Sequence, residues 1–356
     1  MKRPLLSIII PVFNAEKSIG GLVAHVLEQA MADFELILIN DGSEDDSLAI
    51  IEKFEKEDPR VQVFSQTNHG QSSARNVGIS RARGKYIIFL DADDDIEPTM
   101  IEKLSGRMIE TRVDLVVCQM RQNFIKNDRI VSSTIVYAAP LPEHRSGEDF
   151  RTYVVRLLGI NGRLYHPANK IYRTDLIKKH GVKFQEGLNF GEDLTFNLHY
   201  LAHVRTINFL DEPLYHYNLD VVNGTFGKSS LIYENRLKNY REILKFAGKN
   251  PSPELVDLLG WIKYYWFYSF VLALCASDLS KHESVARLSE ALAIDPLPRP
   301  GARQHIGRSK ARIEKVLYSL RHRPGTIYRT VRTLNFFKNQ RLFATTWRKL
   351  TNKLLR

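Results

Sequence analysis

Short apolar runs alternate with amphipathic stretches through the first hundred positions of the chain. Ser7–Pro11, Glu35–Ile39, Val61–Ser65 and Tyr86–Leu90 are near-continuous apolar segments bounded by charge, glycine or proline, the pattern of strands covered on both faces. Between them lie helical stretches. One runs from about Glu16 to Ala30. A second runs from a Ser43 cap to about Lys56, with Asp46 at the capping-box position. A third, Ser72–Arg83, is built of small residues. Strand, helix, strand with short links implies right-handed crossovers and an α/β fold with a mostly parallel sheet. Ligands sit at the carboxyl ends of strands in such sheets. The polar clusters fall at those ends: Phe13 and Asn14, Asp41 and Gly42, Asn68 to Gln71, and Asp91 to Asp95.

Further on, the pattern predicts a helix from Met100, a strand at Leu115–Gln119 and a polar hairpin around Lys126–Arg129. A helix at Phe150–Leu158 and a short strand at Asn169–Tyr172 follow. Glu192-Asp193 before apolar Leu194, Phe196, Leu198 and Leu201 reads as an acidic helix start, which capping and the helix dipole favour without any chemistry. Val204–Leu210 and Leu214–Tyr217 read as two strands. After Ser230 the pattern turns helical. The dense aromatics Tyr264, Trp266, Phe267, Tyr268 and Phe270 predict a helix buried among others. The Pro-rich stretch Asp295–Pro300 breaks the chain before a basic amphipathic tail.

Composition adds three points. With 356 residues, 44% apolar and 26% charged, the chain is an ordinary globular protein of more than one unit. Cys118 and Cys275 show neither disulfide nor zinc spacing, in keeping with a reducing compartment. The net charge of +11 is concentrated at one end: Arg299–Arg356 holds sixteen Lys and Arg against the single acid Glu314, and the remainder is slightly acidic. In the tail, Phe336, Phe343, Trp347, Leu350 and Leu354 recur at helical spacing among Lys338, Arg341, Arg348, Lys349, Lys353 and Arg356. That composition suits an anionic membrane surface. A packing helix with a basic face, or an oligomer contact, suits it as well. Nothing motif-like supports nucleic acid. Lys2-Arg3 before an apolar run resembles a leader, but Pro11, Asn14 and Glu16 interrupt it. Trp261–Ala276 contains Lys263 and is short for a bilayer span. The expected location is cytoplasmic, peripheral at the inner membrane face.

The chemistry is concentrated in GKYIIFLDADDDIEP. Asp91 and Asp93 lie two residues apart, so on an extended chain both project to one side. Such a pair suits a hard cation, Mg2+ or Mn2+, that fills its remaining positions with water and phosphate. A solvated acidic turn is the plain alternative. No GxGxxG follows the first strand and no GxxxxGK[ST] occurs, so dinucleotide and P-loop sites are absent.

The ordered set SIIIPVFNAE, LINDGSEDDS, NHGQSSARNVGISRARG and YIIFLDADD resembles the nucleotide-sugar-binding half of a family 2 glycosyltransferase with the GT-A fold. The likeness is close over residues 5–105 and looser to about 220. It implies a GT-A catalytic domain at 1–225 (nucleotide-sugar half 1–105, acceptor half 106–225), then a helical region at 226–298 and the basic tail at 299–356. By the resemblance, Asp41 accepts the uracil N3–H, Pro11 and Phe13 line or stack on the base, and Asn68 and Arg75 contact the nucleotide. Asp91 and Asp93 hold the ribose and a diphosphate-bound Mn2+ or Mg2+. Asp193 is the general base and Glu192 shapes the site. The family often carries Tyr at Phe13 and Arg at Asn218. The missing charge would come from elsewhere, for example His216 or Lys228, with Tyr215 and Tyr217 nearby. Gly70 and Gly78 serve turn geometry and close packing.

The implied activity is inverting transfer of a sugar from a nucleotide sugar, a UDP-sugar, to an acceptor hydroxyl in cell-surface polysaccharide, teichoic acid or lipid-linked glycan. The partners are that donor, a glycan or lipid-linked acceptor and an anionic membrane surface; the tail permits a homo-oligomer without requiring one. Two alternatives are a sugar nucleotidyltransferase, for which no GxGTR-like stretch exists, and a non-catalytic nucleotide-sugar-binding protein.

Overall fold

The structure is a computed structural model; it describes residues 3–127, 129–136, 148–161, 164–188, 191–220, 233–277, 279–295, 297 and 317–339. The chain divides into two compact units, Met1–Arg145 with Ile160–Gly224, and Ser146–Gly159 with Thr225–Arg356.

The first unit is built on one sheet. Strands β1 (Leu6–Val12), β2 (Phe34–Asp41), β3 (Val61–Gln66) and β4 (Tyr86–Phe89) are mutually parallel in the order β3-β2-β1-β4. Every residue of β1, β2 and β4 is buried, which is why these segments read as near-continuous apolar runs. Successive β1 residues serve opposite faces. Leu6, Ile8 and Ile10 join a core with Leu22, Val23 and Val26 of α1 (Ile19–Leu27). Ile9 meets α3 (Gln71–Arg81) on the other face, where a Cβ at Gly78 would stand 2.3 Å from Ile9 Cγ2. Gly78 therefore lets helix and strand approach closely, as expected.

Beyond β4 the sheet is mixed. The order continues β8-β6-β9-β5, with β5 (Asp95–Ile96), β6 (Leu115–Lys126), β7 (Arg129–Val136) hairpinned to β6, β8 (Lys170–Arg173) and β9 (Ile207–Asp220). β8 runs antiparallel to both β4 and β6. Its first residue consequently lies at the end where β4 finishes, so the loop entering β8 arrives at the ligand end of the sheet. The two strands expected from Val204 to Tyr217 are one: β9 runs parallel to β6 with irregular register, Leu210 facing Cys118 and Pro213 facing Gln119. The bulge at Asp211–Glu212 is what split the apolar pattern.

Two helix starts also differ from expectation. α1 begins at Ile19, and α2 (Ser47–Glu57) begins four residues after Ser43. The polar groups assigned to capping instead lace two loops together. Asn14 N–H donates to Ser43 Oγ (3.2 Å), Glu44 N–H to Asn14 Oδ1 (2.9 Å), Ala15 N–H to Ser47 Oγ (2.7 Å) and Glu16 N–H to Asp45 Oδ2 (3.1 Å). Ser43 thus fixes the exits of β1 and β2 against each other. The remaining helices of this unit are α4 (Met100–Thr111), α6 (Thr174–His180) and α7 (Glu192–Leu201); α5 (Phe150–Asn161) starts in the second unit.

The second unit packs α8 (Tyr233–Ala247), α9 (Pro253–Ala276), α10 (Lys281–Ile294) and α11 (Pro324–Asn339). Its core joins Tyr264, Phe267, Phe270 and Val271 of α9 with Leu288, Ile327, Tyr328 and Val331. α9 is longer than the apolar stretch suggested, and by length and composition it could cross a membrane; 56% of its most apolar window is buried inside the protein. The buried side chains mark it as a core helix. Lys228 and residues 340–356 of the tail lie outside the described residues.

At the end of the sheet away from the acidic clusters, Glu35 is buried. It accepts from Ser7 Oγ (2.6 Å), Arg83 N–H (2.7 Å), Arg83 Nε (2.8 Å) and Gly84 N–H (3.2 Å). Burial would raise its pKa, but the hydrogen bonds from Ser7 and Arg83 outweigh this and hold it below the ordinary 4.5. The stabilisation is therefore complete above that value and is lost as pH falls through the folded value. Glu35→Ala is expected to cost about 2–4 kcal/mol at pH 7, since buried donors lose their acceptor. In urea titrations the difference from wild type should shrink below pH 4.5; a pH-independent cost would contradict this account.

Candidate active site

Three strand exits and two helices converge at the carboxyl end of the parallel strands. Pro11 is buried within β1, and Phe13, just past its end, is 47% exposed, an aromatic face open to solvent. Asp41 closes β2 and is 2% exposed. Its Oδ1 accepts from Gln66 Nε2 (2.6 Å) and His69 N–H (2.9 Å), and its Oδ2 from Gly70 N–H (2.8 Å). A carboxylate has about four acceptor directions, so one remains. Gly70, with φ of 87°, caps α3, so Asp41 anchors the helix start as well as the loop that exposes Asn68.

Arg75, one and a half turns into α3, is the centre of the constellation. It is fully buried, yet its Nη2 lies 2.5 Å from Asp91 Oδ1 and its Nη1 2.8 Å from Asp193 Oδ1. Phe184 lies under the guanidinium, 4.9 Å away, stacked on Phe196 and edge-on to Phe89. Burial alone would lower the arginine pKa; the charges of Asp91 and Asp193 more than offset it, and the pKa is raised. Arg75 was expected among the nucleotide contacts. Its terminal nitrogens are engaged by the two carboxylates, and its Nε has no hydrogen-bond partner among the described residues.

The four acids after β4 differ in environment. The strand ends at Phe89, and Asp94 N–H donates to the Asp91 carbonyl (3.1 Å), so this stretch is a turn. The turn, not a strand pleat, therefore sets the positions of Asp91 and Asp93. Asp91 Oδ1 also accepts from Gln71 Nε2 (3.1 Å). Asp93 keeps contact with solvent, yet the protein crowded around its carboxylate and the charge of Asp91 push its pKa up to about 6. Asp94 is buried and raised well above its ordinary value, first by burial and then by Asp93 and Asp91. It accepts from the Tyr215 hydroxyl and from Asn218 N–H (2.7 Å). Asp95 pairs with His25 at 2.7 Å.

β9 braces this turn. Asp91 N–H donates to Tyr215 Oη (3.4 Å), and Asn218 Nδ2 donates to the Asp93 carbonyl (3.1 Å) while accepting from Asn123 Nδ2 (3.0 Å). Asn218, where the resemblance suggested a cation, is part of the scaffold. His216 alternates to the other face of the strand and pairs with Glu97 at 2.8 Å, so it does not supply the missing charge.

α7 opens on the two remaining acids after Gly191 at φ 89°. Burial and the charge of Asp193 push Glu192 up to about 7, and its Oε2 is buried without a hydrogen-bond partner among the described residues. Asp193 is raised above its ordinary value, burial outweighing the opposing pull of the Arg75 charge. Its pairing with Arg75 brings it into one constellation with Asp91. His166, Lys170 and Tyr172 stand within the field of Asp193 but carry no signal in the sequence, since they lie on a loop and short strand with no motif-like spacing.

Comparison with known proteins agrees with this arrangement. A model of the family "Glycosyl transferase family 2" matches residues 7–181. The glycosyltransferase GlyG of Streptococcus pneumoniae is 30% identical over 303 residues, 74% of this chain and 96% of that protein. The uncharacterized glycosyltransferase EpsJ of Bacillus subtilis is 34% identical over 232 residues, 60% of this chain and 61% of EpsJ, so the match spans about three fifths of that relative. Among solved structures, Staphylococcus aureus TarS 1–349 in complex with UDP superposes with a TM-score of 0.62 at 21% identity, covering 94% of this chain and 91% of that one. That likeness carries the fold, and the sequence matches carry the family. An α/β sheet with acids gathered at its carboxyl edge, read together with these relatives, makes the chain a member of glycosyl transferase family 2 and an enzyme.

Proposed function

We propose that the protein transfers a sugar from a UDP-sugar to an acceptor hydroxyl with inversion at the anomeric carbon. One observation carries this reading: a single buried guanidinium holds Asp91, of the acid pair proposed to face the donor diphosphate, and Asp193, the proposed base, 2.5 and 2.8 Å from its two ends. UDP as the carrier is supported by its presence in the TarS complex, together with the open Phe13 ring and the spare acceptor direction of Asp41.

Two neighbouring carboxyls open α7, and their surroundings separate them. Glu192, with an unpartnered buried oxygen, holds a proton to about pH 7, whereas Asp193 has one oxygen ion-paired to Arg75. In the proposed step the acceptor oxygen attacks the anomeric carbon opposite the leaving group. The carbon–oxygen bond to the diphosphate breaks, its electron pair leaves with UDP, and the acceptor proton passes to the Asp193 carboxylate. Arg75 occupies Oδ1, which leaves Oδ2 for that proton.

Among the described residues no group of three or more His, Cys, Asp or Glu side chains forms a closed metal cage. Two carboxylates, one of them exposed and short of compensating charge, fit an open Mg2+ or Mn2+ site that water and diphosphate complete. Asp93 and Asp91 would hold the ion, which supplies Lewis-acid neutralisation of the departing diphosphate.

The acceptor is proposed to be a cell-surface or lipid-linked glycan met at an anionic membrane, on the strength of the basic excess in Arg299–Arg356. Because α11 is part of a helical core, the informative truncation falls after Asn339. It should sediment less with phosphatidylglycerol vesicles than the full chain, and equal sedimentation would remove residues 340–356 as the anchor.

Asp193→Asn keeps an acceptor for Arg75 and should lower turnover by about 10²–10⁴ with UDP affinity nearly unchanged. Undiminished UDP release from a panel of UDP-sugars with Mn2+ or Mg2+ would take Asp193 out of the mechanism. Asp41→Ala should instead weaken UDP binding about tenfold or more, through a lost acceptor and a loosened Gln66–Gly70 loop. Calorimetry with UDP reads this directly; an unchanged Kd would place the base elsewhere.

A further inference from the structure

The loop leading into β8, Tyr165–Asn169, is held mainly through its carbonyls. Asn197 Nδ2 donates to the Tyr165 carbonyl (2.7 Å) and the Lys170 ammonium to that of His166, while Tyr172 Oη donates to Asn197 Oδ1 (2.7 Å) and lies 3.2 Å from the Pro167 carbonyl. Cys118 N–H donates to the Asn169 carbonyl (3.0 Å), and Asn169 Nδ2 returns a bond to the Cys118 carbonyl (2.6 Å). Lys170 is wholly buried, and burial pushes its pKa down to about 7. A buried ammonium is costly, and here it fixes one backbone carbonyl and its neighbour Asn169.

The loop is fastened to the elements that carry the site. Asn197 lies one turn beyond Asp193 on the same side of α7. β8 starts beside the end of β4, next to the Asp91 turn. The His166 ring packs on Tyr217, with centroids 5.1 Å apart. Tyr217 shares a β9 face with Tyr215, whose hydroxyl holds Asp91 N–H and Asp94. His166 is half-buried, and neither ring nitrogen makes a hydrogen bond among the described residues. It stands in the field of Asp193, Asp91, Arg75 and Lys170, and burial keeps it neutral. A neutral imidazole offers one donor and one acceptor, the pair a sugar hydroxyl can use in full.

We propose that His166 contacts the transferred sugar, its imidazole hydrogen-bonding a hydroxyl of the ring, and so selects which UDP-sugar is accepted. Arg75 is committed to carboxylates and Asp94 to β9, whereas His166 is rigidly placed and unengaged. This assignment rests on the donor reading above.

The test is calorimetry of wild type, His166→Ala and His166→Gln with UDP, UDP-glucose, UDP-galactose, UDP-N-acetylglucosamine and UDP-N-acetylgalactosamine in Mn2+. The alanine variant should hold UDP within about twofold and lose about tenfold on the sugar that wild type prefers, flattening its ranking. The glutamine variant, which can still hydrogen-bond, should recover part of that loss. Unchanged sugar affinities in the alanine variant, or an equal loss on UDP and UDP-sugars, would overturn the assignment to the sugar while leaving the donor reading in place. A wild type that binds UDP-sugars no better than it binds free glucose would overturn both.

Discussion

A guanidinium without water must be surrounded by charge, and the site is arranged around that requirement. Arg75 sits where α3 crosses the sheet, fully buried, with an aromatic ring below it and carboxylates at its two terminal nitrogens. Removing either partner of a buried ion pair costs about 3–5 kcal/mol, because the other charge is left uncompensated. Asp91 and Asp193 lie more than a hundred positions apart, and the arginine gives both the same reason to be there. The small residues of α3 follow from this. Gly78 brings the helix onto Ile9, and Ser72 and Ala74 lie buried beside the arginine.

The acidic run after β4 shows how one composition yields several functions by environment. Four aspartates in five positions carry the same charge at the level of sequence, yet each is held by a different neighbour. Arg75 neutralises Asp91, β9 buries Asp94 against Tyr215 and Asn218, and His25 pairs with Asp95. Asp93 is left exposed with a raised pKa, the member of the run most short of positive charge. Glu192 and Asp193 also differ by neighbour: both are raised by burial, but only Asp193 touches the guanidinium, while a Glu192 oxygen has no hydrogen-bond partner among the described residues.

Much of this was legible from the chain alone. The parallel half of the sheet, the strand exits carrying Asp41 and Asp91, and the acidic start of α7 all follow from local patterns, because each combines an apolar run with an abrupt polar end. What pattern could not supply was long-range. The reversed β8 depends on where its loop enters, and the Ser43 hydroxyl had two partners to choose from, its own helix or Asn14. Asn218 looked like a lost cation, although the geometry makes it a bracket for the Asp93 carbonyl. His166 had no signal, since a lone histidine in a loop acquires meaning only from Tyr217, Asn197 and Lys170 around it.

Asp41 ties the end of β2 to this charge network. Its Oδ2 holds the Gly70 amide, and Gly70 is the residue on which α3 begins. A carboxylate at a helix N-terminus is favoured by the helix dipole, so the contact fixes the helix as well as the loop. Arg75 lies five residues further along that rigid helix. A pyrimidine N–H that takes the last acceptor direction of Asp41 would thus add to a group that already sets the position of the guanidinium between Asp91 and Asp193. A ligand that displaced one of the existing bonds would loosen the same helix start. On the proposed function, binding the carrier and keeping Asp193 aligned with Asp91 would be mechanically one problem, joined by the short path Asp41, Gly70, Arg75.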